Sequence, residues 1–226
     1  MKMCRMAGLL LFMDNNMDEH SNDVHDGANN AFSAVLLAGG KSRRMGFDKA
    51  LLPVNGRPLW LHQIETLREL GAMEVLVSGP EAGPWKRSGI RVVQDVRQSA
   101  GPMAAIANVL TNVTTPRVVV LAVDIPLMSS EFLGKLLTFN RPVVPRNGGY
   151  FEPLAAVYAK SGLTLLEAML ESGERSLQSY LTQMVNSELT SVYDLKDEEK
   201  LFFLNLNDSS SIPSITASSS TRCRKF

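Results

Sequence analysis

The sequence predicts an α/β fold, a doubly wound and mostly parallel sheet with a few antiparallel strands in its C-terminal half. Three observations predict it. From residue 32 onward, short apolar runs of strand composition alternate with segments of helical periodicity. One run, RVVVLAV at 117–123, is dominated by valine, as a central parallel strand covered on both faces requires. Finally, Gly39-Gly40, Ser78-Gly79, Asp95 and Asp124 each fall at the carboxyl end of such a run. That is the edge where open α/β sheets place their ligands.

The first strand is the apolar run at 34–38, broken by Gly39-Gly40 into a polar loop. Residues 50–54 read as a short extended piece turned by Asn55-Gly56, and Pro58 opens an amphipathic helix over 59–70 that Gly71 ends. Trp60, Ile64 and Leu67 recur at helical spacing and are core residues. Residues 75–77 form the second strand and 90–93 the third. A glycine-proline junction, Gly101-Pro102, starts a helix through Asn108, and the valine-rich strand at 117–123 follows. A helix over 129–139 takes Ser129 or Ser130 as its cap. Strict alternation then stops. Strands at 142–144 and 154–158 are joined through Arg146-Asn147-Gly148-Gly149, a hairpin or flap. Helices at 163–170 and 177–184 precede strands at 189–193 and 202–205.

Residues 1–31 form a leader and 208–226 a Ser-rich, basic-ended tail, neither with the apolar pattern of a packed segment, so one domain spans 32–207. Lys2 and Arg5 ahead of a brief apolar run give the leader a faint likeness to a signal peptide. The run is short and no small-residue cleavage site follows it, so the likeness is set aside, with Met13 and Met17 as alternative starts. His20 and His25 read as solvated tail residues rather than a metal site. Charge is balanced, 23 basic against 23 acidic residues, so no global field draws the chain to nucleic acid or an anionic membrane. No run approaches the length of a membrane span. Cys4 and Cys223, near opposite ends, suit a reducing cytoplasmic setting and offer no metal spacing.

The loop after the first strand carries the chemistry. It brings Lys41, Arg43, Arg44 and Lys49 to a paired glycine at a strand end, where exposed N–H groups and positive charge meet a phosphate chain. It is not a Walker A loop, because the required first glycine would fall at Val35, and Lys41 spoils the dinucleotide pattern G-x-G-x-x-G. Asp124, ahead of Pro126, suits Mg²⁺, which takes oxygen ligands and shares them with substrate phosphates. A turn-forming aspartate is an equal reading of that residue alone. Lys49 beside Asp48 could equally be a surface ion pair.

The loop resembles the L-A-G-G-x-S-x-R-M-G-x-D-K signature of nucleotidyltransferases, and among them the molybdenum cofactor guanylyltransferase family. Leu37, Ala38, Gly39, Gly40, Ser42, Arg44, Met45, Gly46, Asp48 and Lys49 match it in order. The run LAVDIPLM around Asp124 resembles the family's magnesium-aspartate segment. Asp95 with the GPMAA at 101–105 resembles its E/Q-D…G-P-L-x-G segment, with Ala105 where glycine is usual. Segments 152–154 and 173–177 resemble acceptor-side pieces, and FLNLN at 203–207 resembles F-x-N-x-N, although the expected T-P-E-D continuation is absent.

The resemblance implies a Rossmann-like nucleotidyltransferase fold, with Lys49, Asp124 and Arg44 as catalytic residues and Asp124 as the Mg²⁺ ligand. Leu37, Ala38, Gly39, Gly40, Lys49, Ser78, Asp95 and Asp124 would bind nucleotide. It implies GTP and Mo-molybdopterin as substrates, with molybdoenzymes or cofactor-delivery proteins as further partners. Ser78 stands where relatives often carry a base-contacting asparagine, which leaves base choice open. The rivals are a cytidylyltransferase of the same cofactor, a sugar- or alcohol-phosphate nucleotidyltransferase, and a non-catalytic nucleotide- or cofactor-binding module.

Overall fold

The computed structural model describes residues 31–39, 49–94 and 101–205. The expected leader, except its last residue, and the Ser-rich tail lie outside the described residues. The strands are, in chain order, β1 (Phe32–Leu37), β2 (Pro53–Val54), β3 (Arg57–Pro58), β4 (Val75–Ser78), β5 (Arg91–Val93) and β6 (Arg117–Ala122). They continue as β7 (Val143–Asn147), β8 (Tyr150–Phe151), β9 (Ala155–Ala159) and β10 (Ser191–Asp194). The helices are α1 (Leu59–Arg68), α2 (Gly101–Asn112), α3 (Ser130–Leu137), α4 (Leu163–Glu171) and α5 (Leu177–Asn186). None of the described helices is long and apolar enough to cross a membrane.

The main sheet runs β10-β7-β9-β6-β1-β4-β5, with β8 paired to β7. Pairs β6–β1, β1–β4, β4–β5 and β7–β10 are parallel. Strand β9 is antiparallel to both of its neighbours, β6 and β7. The mostly parallel sheet with antiparallel strands late in the chain is therefore as expected. Every residue of β6 is buried, and alternation across the pleat sends Val118 and Val120 into one core and Val119 and Leu121 into the other. Helices α1 and α3 cover the second face, while α2, α4 and α5 cover the first. Burying each such valine contributes about 1.5–3 kcal/mol, which explains why this run reads so clearly in the sequence.

The expected helices form, with edges shifted. The first ends at Arg68 rather than Leu70, and α2 continues to Asn112, four residues past the expected stop at Asn108, because Val109 and Leu110 are fully buried. Ser129 caps α3, its side chain accepting from the Phe132 N–H at 3.2 Å.

Two local expectations are corrected. Residues 49–51 form a 3₁₀ turn, not an extended piece, and only Pro53–Val54 pairs, in a small hairpin with β3 across Asn55 and Gly56. The strand expected at 202–205 is instead the end of a 3₁₀ segment, Asp197–Phe203. Neighbouring Phe202 and Phe203 both meet the Phe132 ring, each at a centroid distance of 5.5 Å, and an extended strand would have sent them to opposite faces. This segment is locked to α3 through Lys135, whose ammonium donates to the Tyr193 hydroxyl and, at 2.8 Å, to Glu199.

Candidate active site

The carboxyl ends of three adjacent parallel strands stand level with one another. Leu37 on β1 is in register with Ser78 on β4 on one side and with Ala122 on β6 on the other. With strands about 4.8 Å apart, the row from Ser78 to Ala122 spans roughly 10 Å, a span that a nucleotide can bridge. Backbone bonds carry the row past the strand ends. Ala38 N donates to Ser78 O at 2.9 Å, Gly79 N to Val93 O at 3.2 Å, and Val123 N to Leu37 O at 3.0 Å. The sequence thus delivers Leu37-Ala38-Gly39, Ser78-Gly79 and Asp124 to one edge, as expected. Gly39 is exposed there and Asp124 partly buried. Gly40, Arg44 and Asp95 lie outside the described residues, as do Lys41 and Arg43.

Lys49 begins the 3₁₀ turn and is only 4% exposed. A buried lysine is uncommon, and burial takes this one off the surface. Its neighbour Ala50 packs in the core cluster that α1 covers, which places the turn on the α1 face of the sheet.

Ser78 is 1% exposed, and its hydroxyl has no hydrogen-bond partner among the described residues. A buried hydroxyl without a partner is costly to leave so. It sits at the strand end beside Ala38, where a ligand group could satisfy it. The glycine that follows has a packing reason. A Cβ on Gly79 would come within 2.9 Å of the Trp85 ring and 3.4 Å of the Ala38 carbonyl carbon. Trp85, which the sequence reading passed over, is 1% exposed, donates its indole N–H to Pro80 O at 3.0 Å and meets Trp60 edge-on. It folds the loop after β4 back against the core. Only its size and a nearby Gly-Pro turn hinted at this in the sequence.

The other half of the same edge is built by the chain's return. The β6–β9 ladder continues through Ala122 N to Leu154 O at 2.8 Å, so the segment 152–154 arrives at the strand ends just beyond the Asp124 side. Burial pushes the Glu152 carboxyl above the ordinary range, against a hydrogen bond from Asn147 that lowers it. The β7–β8 hairpin overhangs this region. Gln178 in the first turn of α5 clamps it, accepting from Phe151 N at 3.0 Å and donating to Phe151 O at 2.8 Å. Just before α5, the Glu174 carboxylate accepts from the Ser176 and Arg175 N–H groups, which holds it below its usual range. Phe151 and Gln178, which flank the segments 152–154 and 173–177 singled out separately in the sequence, thereby join the two stretches of chain.

The site's donor chemistry fits Mg²⁺. Asp124 offers one carboxylate at a fixed strand end, and phosphate-transfer sites commonly hold the ion with one or two carboxylates and complete its shell with substrate oxygens. Among the described residues no cluster of three or more His, Cys, Asp or Glu side chains could hold a metal.

A family model described as "MobA-like NTP transferase domain" matches residues 34–187. The chain belongs to this nucleotidyltransferase family. The match covers β1 through the end of α5, that is, both halves of the edge just described. An Opitutus terrae protein named "Probable molybdenum cofactor guanylyltransferase" is 35% identical over 186 residues, covering 78% of this chain and 91% of that protein. The "Molybdenum cofactor guanylyltransferase" of Pseudomonas putida is 35% identical over 155 residues, 66% of this chain and 81% of its own length. These relatives place the chain in the molybdenum cofactor guanylyltransferase branch of the MobA-like family. Among solved structures, molybdopterin-guanine dinucleotide biosynthesis protein A from Archaeoglobus fulgidus superposes with a TM-score of 0.60. It is 25% identical, over 77% of this chain and 92% of that one.

Proposed function

We propose that this MobA-like protein transfers the GMP moiety of GTP to the terminal phosphate of Mo-molybdopterin, forming the guanine dinucleotide cofactor and releasing pyrophosphate. The observation that carries the reading is the level row of Ser78, Leu37 and Ala122 leading to Asp124. It is set in a chain whose relatives bear the corresponding enzyme name over most of their length. In the reaction an oxygen of the acceptor phosphate bonds to the α-phosphorus, the α–β bridging bond breaks, and its electron pair leaves with pyrophosphate. No protein nucleophile is needed, because the chemistry is positioning plus stabilisation of phosphate oxygens.

Asp124 would hold Mg²⁺, which supplies charge neutralisation at the phosphates. Lys49, and Arg44 from the loop, would balance the charge that builds on the leaving oxygens. Leu37, Ala38, Gly39 and Gly40 present backbone to the nucleotide. Ser78 offers its orphan hydroxyl and Asp95 its carboxylate. The hairpin and the 152–154 segment receive the acceptor.

A second reading keeps the fold and changes the base. Ser78 favours giving it room, because a short hydroxyl reads a base with fewer contacts than an asparagine. Pyrophosphate release with GTP, CTP, ATP and UTP, each with and without molybdopterin, decides between them. Release that requires both GTP and molybdopterin is expected. Release driven by CTP with the same acceptor would move the activity to the cytidylyl rival. Nucleotide binding with no release under any acceptor would make the chain a binding module.

A further inference from the structure

The face that α1 turns to the core is apolar except at Gln63 and Thr66, and the Thr66 hydroxyl is satisfied inside the helix, donating to His62 O at 3.2 Å. Leu59, Ile64 and Leu67 are fully buried, Trp60 nearly so, and among them lies Gln63 with no exposed surface. An amide buried in such company loses its water, and a methionine or leucine of similar length would pack there without that loss. The packing of α1 does not explain the residue; a hydrogen bond accounts for its nitrogen end, while Oε1 is buried with no partner among the described residues. Gln63 Nε2 donates to the Ile125 carbonyl at 2.5 Å, between residues 62 apart in the chain. The partner fixes the amide's orientation, since only the nitrogen end can donate to a carbonyl.

Ile125 lies between Asp124 and Pro126, in a turn with few hydrogen bonds of its own. The proline has no N–H, and the two backbone bonds inside the turn, Ile125 N to Ala122 O and Met128 N to Ile125 O, are both long at 3.4 Å. Upstream, Val123 is tied to Leu37 at 3.0 Å. Downstream, the Gln63 bond is the tether that comes from outside the turn. Asp124 hangs between these two anchors.

We propose that Gln63 is a positioning residue for Asp124, holding the 124–126 turn so that the carboxylate stands ready for a divalent cation. The inference rests on Asp124 being the metal ligand. Mg²⁺ demands near-ideal octahedral geometry, so a turn that samples other positions binds it in proportion to the time spent in the right one. The helix that follows the Lys49 turn would in this way reach across and set the metal side of the site.

The test is Gln63→Met, which keeps length and removes the donor, with Gln63→Glu as a second variant and Asp124→Asn alongside. Two readouts need no turnover: amide hydrogen exchange at Ile125 and Met128 in the free protein, and binding of Mn²⁺ followed by paramagnetic relaxation in the presence of GTP. Loss of one such bond corresponds to about a tenfold effect. Gln63→Met should speed exchange at those amides and raise the Mn²⁺ half-saturation by about that factor, with the affinity for metal-free GTP unchanged. Gln63→Glu can donate only when protonated, so its Mn²⁺ half-saturation should approach the parent value as pH falls, a dependence that a purely packing role would not produce. Parent-like exchange and Mn²⁺ binding in Gln63→Met, while Asp124→Asn loses Mn²⁺, would overturn the inference and leave the metal role of Asp124 standing. Unchanged Mn²⁺ binding in Asp124→Asn would instead remove the reading on which it rests. A Gln63→Met chain that fails to fold would also overturn it, because the amide would then be a folding element.

Discussion

Val123 donates its backbone N–H to Leu37 at 3.0 Å, so the last residue before the candidate metal aspartate is bonded to the last residue of the first strand. The Leu37-Ala38-Gly39 strand end and the Asp124 carboxylate therefore leave the sheet from one hydrogen-bonded point. A displacement of either strand end would be felt at both.

Asp124→Asn keeps the side chain's shape and removes its charge. Asparagine fills turns nearly as well as aspartate, so the melting temperature should stay close to the parent's. A neutral amide is a poor ligand for a hard cation, so pyrophosphate release should fall by about a hundredfold or more and need higher Mg²⁺. Normal activity with an unshifted magnesium titration would remove the aspartate from the chemistry.

Lys49→Ala tests the buried cation. If Lys49 meets charge that develops only as the α–β bond breaks, kcat should drop by about a hundredfold while nucleotide affinity changes far less. Rapid-quench turnover set beside equilibrium titration with GTP separates the two. A loss confined to affinity would make the lysine a ground-state anchor.

Gly79→Ala should destabilise the fold by about 1–3 kcal/mol and weaken nucleotide binding, because its methyl would press on the Trp85 ring 2.9 Å away. Trp85→Phe takes away the atoms it would strike. In denaturant titrations the double variant should lose less stability than the two single losses combined. Additive losses would show that the ring and the glycine are not coupled.

The Lys135–Glu199 link makes a prediction about acid. Burial raises the Glu199 carboxyl, but bonds from Lys135, the Lys196 N–H and Tyr193 outweigh this and leave it below its ordinary value. A carboxylate depressed in the folded state stabilises above its unfolded pKa, and that contribution fades as pH falls through the folded value. Melting temperature should therefore drop on the acid side below about pH 4. Glu199→Gln should be less stable near neutrality and show a shallower acid decline. Identical pH profiles would detach this pair from the docking of the 197–203 segment.

Much of this arrangement could be read from the residues. The valine run of β6, the helices opened by Pro58 and Gly101, and the glycine and aspartate strand ends all follow local rules of period and turn chemistry. The misreadings share one cause, which is that partners distant in sequence decided them. Phe202-Phe203 looked extended until Phe132 supplied a single face for both rings. Gln63 was not singled out on its amphipathic helix, because its partner Ile125 lies on another element. Trp85 drew no notice, since its importance lies in where Gly79 sits. Lys49 was left between a surface pair and a phosphate contact because burial cannot be read from a Lys-Ala-Leu turn.

Strand β9 runs against both of its neighbours, and this reversal marks a seam in the molecule. On one side stand four parallel strands, whose ends carry the proposed nucleotide site. On the other, the edge is furnished by a hairpin and a strand entrance, tied on by the Gln178 side chain and local turns. Changes in residues 147–153 that keep the bond from Ala122 N to Leu154 O would leave the register of Leu37 with Ser78 and Ala122 intact. The seam is modular in that sense: with the proposed nucleotide side kept, the proposed acceptor side could be exchanged, a route by which a single scaffold could diversify toward new phosphorylated acceptors without reinventing its handling of nucleotide.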